Sequence, residues 1–173
     1  TDPVREMQRT KTHGLLYKQL RKNSSYSRQG MAEYLVVFRK WPDDYQDPEP
    51  VTHTKDDFPL ELWQRYASPV WFDIQRTDVL NAAIAREDED EKHLAPLQLG
   101  VIERAIELWT NPGDIVFTPY MGVGSEVYQA VKMGRQGIGI ELKEQYWNWA
   151  VRYLRQLDAE MNQISLFPDT QAI

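Results

Sequence analysis

The sequence holds 173 residues with a hydrophobic fraction of 42%, which suits one globular domain, or one domain with a small insertion. It has no cysteine, and its three histidines lack metal-ligand spacing, so neither disulfides nor a metal site are expected. The net charge is −6, and the lack of a membrane-length apolar run or a secretory signal makes a cytoplasmic protein the expectation.

The charge is unevenly distributed along the chain. Residues 1–40 contain nine Lys or Arg and three Asp or Glu, whereas the remaining residues contain eleven and twenty-three. This asymmetry indicates one face that binds a polyanion and another that faces solvent, although ordinary surface solvation also explains a basic segment.

The basic segment reads as a helix, a polar loop and a strand. A helix is predicted from Glu6 to Lys22, a loop from Asn23 to Gly30, and a strand from Glu33 to Lys40 that is buried on both faces. The loop has the groups that phosphate contact and base stacking use, but it also fits a plain exposed loop. The residues expected to contact DNA are Arg9, Lys11, Lys18, Arg21, Lys22, Ser24, Tyr26 and Arg28.

Composition changes to Pro, Asp and aromatic residues after Lys40, which indicates a linker or an inserted region that reads DNA. A short helix is predicted from Leu60 to Tyr66, entered through Asp56 and Asp57, and a weaker helix from Thr77 to Ala85. Between them, residues 68–74 form a strand or a packed loop. Their aromatic residues and Trp63 could act as wedges in DNA, but burial is the usual fate of such side chains, and packing is predicted for Trp63, Trp71 and Phe72.

The second half follows a helix, strand, helix, strand, helix order. Helical spacing begins after Pro96, and an apolar strand, Ile115 to Phe117, enters a Gly-x-Gly turn. The elements that follow are a helix at 126–133, a strand at 136–141 and an amphipathic helix at 143–161. This is the βαβ pattern of a parallel sheet, so the fold class is α/β.

The glycine turn narrows the class of ligand. Gly122 and Gly124 lack Cβ, and Glu141 ends the next strand about twenty residues later, where such folds place a carboxylate for ribose hydroxyls. A dinucleotide site usually has a third glycine, where this chain has Val127. S-adenosylmethionine, which has a ribose but no phosphate, therefore suits the turn better. The alternative is that both glycines merely shape a tight turn.

The segment from Thr118 to Ser125, followed by Gly139-Ile140-Glu141-Leu142, resembles the cofactor motif of amino-group DNA methyltransferases, usually D-P-F-x-G-x-G-T. His93 to Gln98 resembles their H-x-A-P-x-P segment, and Glu33 to Lys40 resembles the strand after their catalytic loop. The resemblance implies a Rossmann-like methyltransferase fold, with S-adenosylmethionine as cofactor and double-stranded DNA as partner, in a bacterial or phage restriction-modification setting. The residues it assigns to the cofactor are Thr118, Pro119, Tyr120, Gly122, Gly124, Ser125, Glu141, His93, Ala95 and Pro96.

Two departures from that family stand out. Thr118 replaces the usual Asp, which the family places near the cofactor's amino group. The catalytic tetrapeptide D/N/S-P-P-Y/F is missing from the sequence, so the catalytic residues are unknown. In the family order the tetrapeptide would lie before Thr1, or another chain would supply it.

The resemblance divides the chain into four parts: residues 1–40 beside the catalytic loop, 41–92 as a target-recognition insertion, 93–161 as the cofactor-binding part, and 162–173 as a flexible tail. The predicted function is methyl transfer to the exocyclic amine of adenine or cytosine in DNA. The alternatives are a catalytically silent DNA-binding module, an NAD-dependent oxidoreductase and a small-molecule methyltransferase.

The tail contains Gln163-Ile164-Ser165-Leu166-Phe167, which resembles the motif by which bacterial DNA-processing proteins bind the sliding clamp. Gln163, Leu166 and Phe167 would make that contact, with the two apolar side chains in a pocket of the clamp. The alternative is a tail that packs on its own domain.

Overall fold

Two units divide the chain, Thr1–Pro50 and Val51–Ile173. The computed structural model describes residues 21–23, 34–40, 49–75, 77–80 and 96–166, and of residues 163–166 it describes the backbone. In its described part, no helix is both long and apolar enough to cross a membrane.

The strand predicted from Glu33 to Lys40 in the first unit is wrong over its described part. Residues 34–40 have no regular secondary structure, and the apolar run from Tyr34 to Phe38 is exposed, with Tyr34 at 85% and Phe38 at 89%. A strand needs a neighbour to pair its backbone groups, and no described strand pairs with this run. Arg21 and Lys22 are helical, as predicted, and the rest of that helix lies outside the described residues.

The second unit begins with a turn and a short helix. The helix α1, Leu60–Tyr66, has the predicted bounds. Asp57 does not cap it. The Asp57 carboxylate instead accepts a hydrogen bond from the Thr54 amide at 2.6 Å, and the Thr54 hydroxyl accepts one from the Asp57 amide at 3.3 Å. Residues 68–74 form a loop, and residues 77–80 are irregular rather than the start of the predicted helix.

A parallel strand, helix, strand unit forms the centre of the second unit. It follows α2, Leu99–Trp109, and consists of β1, Ile115–Thr118, then α3, Ser125–Lys132, and β2, Gln136–Gly139. The two strands pair in parallel from Ile115 opposite Gln136 to Thr118 opposite Gly139. This confirms the predicted α/β class. The last helix, α4, spans Glu144–Leu166 and extends five residues beyond the predicted end at Met161.

The core lies on one face of the two strands. Val116 packs on Ile102, Ile106 and Ala130, so that α2 and α3 cover this face. Side chains alternate along a strand, and on the opposite face Ile115, Phe117 and Ile138 are exposed. Met121, Val127 and Ala150 form a second cluster that packs α4 against the turn after β1 and against α3.

Candidate functional site

The turn between β1 and α3, here called the glycine turn (residues 119–124), is held by backbone hydrogen bonds to the end of β2. The Met121 amide donates to the Ile140 carbonyl at 2.9 Å, and the Ile140 amide donates to the Thr118 carbonyl at 3.0 Å. The Gly124 amide donates to the Met121 carbonyl at 2.9 Å, which closes the turn. The turn and the chain after β2 therefore form one hydrogen-bonded edge.

Glu141 lies at this edge and contacts the glycine turn directly. Its Oε2 accepts a hydrogen bond from the Gly122 amide at 2.7 Å, and its Oε1 accepts one from the Lys143 amide at 2.9 Å. The structure thus brings together the glycine and the carboxylate that the sequence singled out. Each carboxylate oxygen keeps further acceptor capacity, so the group can also accept hydrogen bonds from hydroxyls of a ligand.

The two glycines of the turn differ in their surroundings. Both have positive φ, +54° at Gly122 and +91° at Gly124. A Cβ on Gly122 would meet nothing within 4 Å, whereas one on Gly124 would lie 2.8 Å from the Cβ of Ala150 in α4. Gly124 therefore permits the close packing of α4, and Gly122 leaves open space beside the Glu141 carboxylate.

The other residues assigned to the cofactor differ in exposure. Thr118 and Ser125 are buried, Pro119 is exposed, and Tyr120 is 87% exposed. Pro96 is partly buried three residues before α2, and His93 and Ala95 lie outside the described residues. An aromatic ring as exposed as that of Tyr120 is available for stacking on a planar ligand.

Val127 occupies the position where a dinucleotide site usually has a third glycine. Val127 packs on β2 where that strand has Gly137, and a Cβ there would lie 2.7 Å from the Val127 Cγ1 and 2.9 Å from its carbonyl oxygen. The glycine at this contact is thus Gly137 on β2 rather than a residue of α3, and α3 still approaches β2 closely. The packing of α3 on β2 therefore does not disfavour a dinucleotide, contrary to the expectation drawn from Val127.

Glu126 lies two residues after the glycine turn and has no role in the sequence-based assignment. It occupies the first turn of α3 between the buried residues Ser125 and Val127 and is itself partly buried. Desolvation by burial raises the pKa of its carboxyl group above the usual range. An acid in the first turn is usually explained by the helix dipole, so the sequence alone does not distinguish Glu126 from an ordinary first-turn acid.

Within the predicted target-recognition insertion, residues 66–73 are fixed to α2 by an anchor cluster of Tyr66, Trp71, Asp73 and Arg104. The Arg104 side chain is buried, its guanidinium lies over the rings of Tyr66 and Trp71 at 4.8 and 5.0 Å, and its Nη2 donates to Asp73 Oδ2 at 2.6 Å. The Trp71 indole N–H donates to the Tyr66 carbonyl at 3.0 Å. Hydrogen bonds first from Arg104 and then from Arg65 hold the pKa of Asp73 below its usual range.

The packing predicted for the aromatic residues of this region is correct for one of the three. Trp71 is partly buried in the anchor cluster, but Phe72 is 89% exposed and Trp63 is 52% exposed. The buried guanidinium of Arg104 lies over the rings of Tyr66 and Trp71, and this contact explains why Trp71 is the one that packs.

Few of the residues assigned to DNA or to a clamp lie in the described part. Arg21 and Lys22 are exposed, and Arg9, Lys11, Lys18, Ser24, Tyr26 and Arg28 lie outside it. The backbones of Gln163 and Leu166 belong to the last turn of α4, so the first residues of the predicted tail are helical, and Phe167 lies outside the described residues.

Comparison with known proteins gives a family match over most of the chain. The N6_N4_Mtase family model, described as DNA methylase, matches residues 6–152. DNA adenine methyltransferase YhdJ of Escherichia coli (strain K12) is 30% identical over 125 residues, which are 72% of this chain and 35% of that protein. Type II methyltransferase M1.MboII of Moraxella bovis is 38% identical over 66 residues, which are 38% of this chain and 25% of that protein.

Among solved structures, the M1.HpyAVI–SAM complex is 36% identical, with a TM-score of 0.35, and the match covers 36% of this chain and 31% of that one. The chain spans about a third or less of the length of the two curated relatives.

Proposed function

Because this chain belongs to the N6_N4_Mtase family of DNA methylases, we propose that it binds S-adenosylmethionine at the glycine turn and acts in methyl transfer to an exocyclic amine of adenine or cytosine in DNA. The observation that carries the proposal is the contact between the Gly122 amide and the Glu141 carboxylate, beside open space at Gly122. The Rossmann-like α/β methyltransferase fold is that of the family.

The residues present fit the cofactor. Ribose hydroxyls need an acceptor pair, which Glu141 supplies, and the missing side chain at Gly122 lets a ligand reach the backbone. The exposed ring of Tyr120 can stack on an adenine, and the buried Ser125 begins α3, where backbone N–H groups favour a carboxylate. When bound, S-adenosylmethionine supplies an electrophilic methyl group.

The chain's own residues would bind and orient rather than transfer protons. A base whose amine is sheltered inside the duplex must leave the stack before it reacts. The basic first segment would contact the DNA phosphates, because Lys and Arg side chains neutralise the backbone charge. No catalytic residue is assigned, because the sequence lacks D/N/S-P-P-Y/F. The sliding clamp remains a proposed partner through Gln163, Leu166 and Phe167.

Calorimetric titration of the full chain with S-adenosylmethionine and with NAD tests this function. The protein is expected to bind S-adenosylmethionine and not NAD. Glu141→Gln should weaken the binding of S-adenosylmethionine about tenfold, because hydrogen bonds to a charged group contribute ~1.5–3 kcal/mol. Glu144→Gln, exposed in the first turn of α4, is the matched control. Binding of NAD alone would support the oxidoreductase alternative, and duplex binding without transfer of labelled methyl would support a silent module.

A further inference from the structure

Phe72 presents an exposed ring from a loop in which both adjacent residues are fixed. The ring side chain is 89% exposed, and the residue lies in a turn. On one side of it, the Trp71 ring lies 5.0 Å from the guanidinium carbon of the buried Arg104. On the other side, Asp73 Oδ2 accepts a hydrogen bond from Arg104 Nη2 at 2.6 Å. One buried cation therefore holds the chain immediately before and after Phe72.

Folding does not account for this ring. A side chain that stays almost wholly in water contributes little apolar burial to the folded state. The fixed neighbours restrict the backbone at Phe72, so that the side chain keeps only its two rotatable bonds. Such a ring loses little conformational entropy when it binds, which is why rigid aromatic residues serve as anchors in binding surfaces.

The chain after this loop leads to the glycine turn. The Asp78 carbonyl accepts a hydrogen bond from the amide of Leu99, the first residue of α2, at 2.9 Å. Leu80 packs there in one buried cluster with Val123 of the glycine turn, and Leu99 packs against that cluster. Arg104 lies five residues after Leu99, a rise of about 7.5 Å along α2. The loop is thus anchored about one and a half helical turns from the end of α2 that packs against the proposed cofactor site.

The proposed reaction creates a partner surface for an exposed ring. A base that leaves the duplex to react opens a gap between the flat faces of its neighbours. Apolar side chains, Phe among them, enter between base steps in protein–DNA complexes, and aromatic rings stack on bases of any sequence. Phenylalanine has no hydrogen-bonding group in its side chain, so it suits stacking rather than the reading of base edges.

We propose that Phe72 inserts into the duplex and stacks in the gap left by the target base, an inference that rests on the function proposed above. The anchor cluster gives the ring a rigid support on α2. Phe72 is then a residue that contacts the substrate and keeps the base out of the stack, and it takes no part in the transfer of the methyl group.

A cycle of DNA and protein changes tests this role in the full chain. Two labelled duplexes with randomised flanking sequence are compared, one intact and one with an abasic site beside a 2-aminopurine, in which the gap is already present. Wild-type protein should bind the abasic duplex about tenfold more tightly, and Phe72→Ala should bind both equally, since stacking on a base contributes an effect of this order. Wild type should also quench the 2-aminopurine fluorescence, and Phe72→Ala should not.

Trp63→Ala is the control, because it removes a half-exposed ring from the neighbouring α1, and it should keep the wild-type preference. Phe72→Ala should unfold in denaturant like wild type, as expected for an exposed side chain. A preference for the abasic duplex that survives in Phe72→Ala would overturn the inference, as would its loss in Trp63→Ala or a clear loss of stability in Phe72→Ala. Wild-type protein that binds both duplexes equally would overturn the inference alone. Wild-type protein that binds neither duplex would refute the proposed function, and the inference with it.

Discussion

Gly122 and Gly124 both have positive φ in the glycine turn, but their surroundings differ. Only Gly124 is enclosed by another element, since Ala150 approaches it. Gly122 faces open space and donates its amide to Glu141. The strained backbone conformation is therefore structural at one position and leaves room for a ligand at the other.

Gly122→Ala should separate stability from binding. Alanine at positive φ costs about 1 kcal/mol, and no clash adds to it, because the space is empty. Gly113→Ala is a matched control, since Gly113 also has positive φ, +85°, and no neighbour within 4 Å. Denaturant unfolding should show similar losses for both variants, whereas calorimetry with S-adenosylmethionine should show weaker binding for Gly122→Ala alone. Equal affinities would contradict the role given to Gly122.

At the scale of elements, α2 links the loop after α1 to the sheet. Ile102 and Ile106 on one side of α2 contact α3 and β1, while Arg104 holds Tyr66, Trp71 and Asp73. The loop after α1 is thus mounted on the helix that also supports β1 and α3. Of the two exposed rings in this region, that of Trp63 lies on α1 and that of Phe72 lies on the loop after it.

Asp73→Asn should weaken this mounting. The substitution removes the charge that pairs with the buried Arg104, and a poorly satisfied buried donor costs about 1–3 kcal/mol. Asp56→Asn, exposed in the preceding turn, is the control and should leave stability unchanged. Denaturant unfolding at neutral pH measures both.

The ion pair between Asp73 and Arg104 should make the stability of the protein depend on pH. The pKa of Asp73 is depressed in the folded protein, mainly by the hydrogen bond from Arg104. Its stabilisation is therefore fully present above the ordinary pKa of an Asp and is lost as pH falls through the lower folded value. The difference in stability between wild type and Asp73→Asn should shrink below about pH 4. A difference that stays constant down to about pH 2 would show that Asp73 acts through packing alone.

At the scale of the whole molecule, charge rather than fold supports the proposed polyanion partner. The first forty residues are basic within a chain of net charge −6, and Arg21 and Lys22 are exposed there. A protein that neutralises phosphates releases counterions, so its affinity for DNA falls as salt rises. The acidic remainder of the chain favours binding through the first segment.

Replacing Arg21 and Lys22 by Ala should reduce duplex affinity and lower the slope of log affinity against log salt by about two, one for each phosphate that the protein then leaves unneutralised. The control is Lys132→Ala with Arg155→Ala, two exposed cations on α3 and α4. Fluorescence anisotropy with labelled duplex at several salt concentrations measures both slopes. An equal reduction in the control would mean that total charge, not the first segment, determines binding.

The sequence by itself determined the β1–α3–β2 unit, because apolar periodicity and the glycine turn act within a few residues of one another. It also predicted that Glu141 would lie near Gly122, since parallel strands end at the same edge. Only the tertiary structure decided that Glu126 is desolvated, that Gly137 makes room for Val127, and that Trp71 is covered while Phe72 is exposed. Those outcomes depend on contacts between distant parts of the chain, and the apolar run at 34–38 shows the same limit, because a strand forms only where another strand pairs with it.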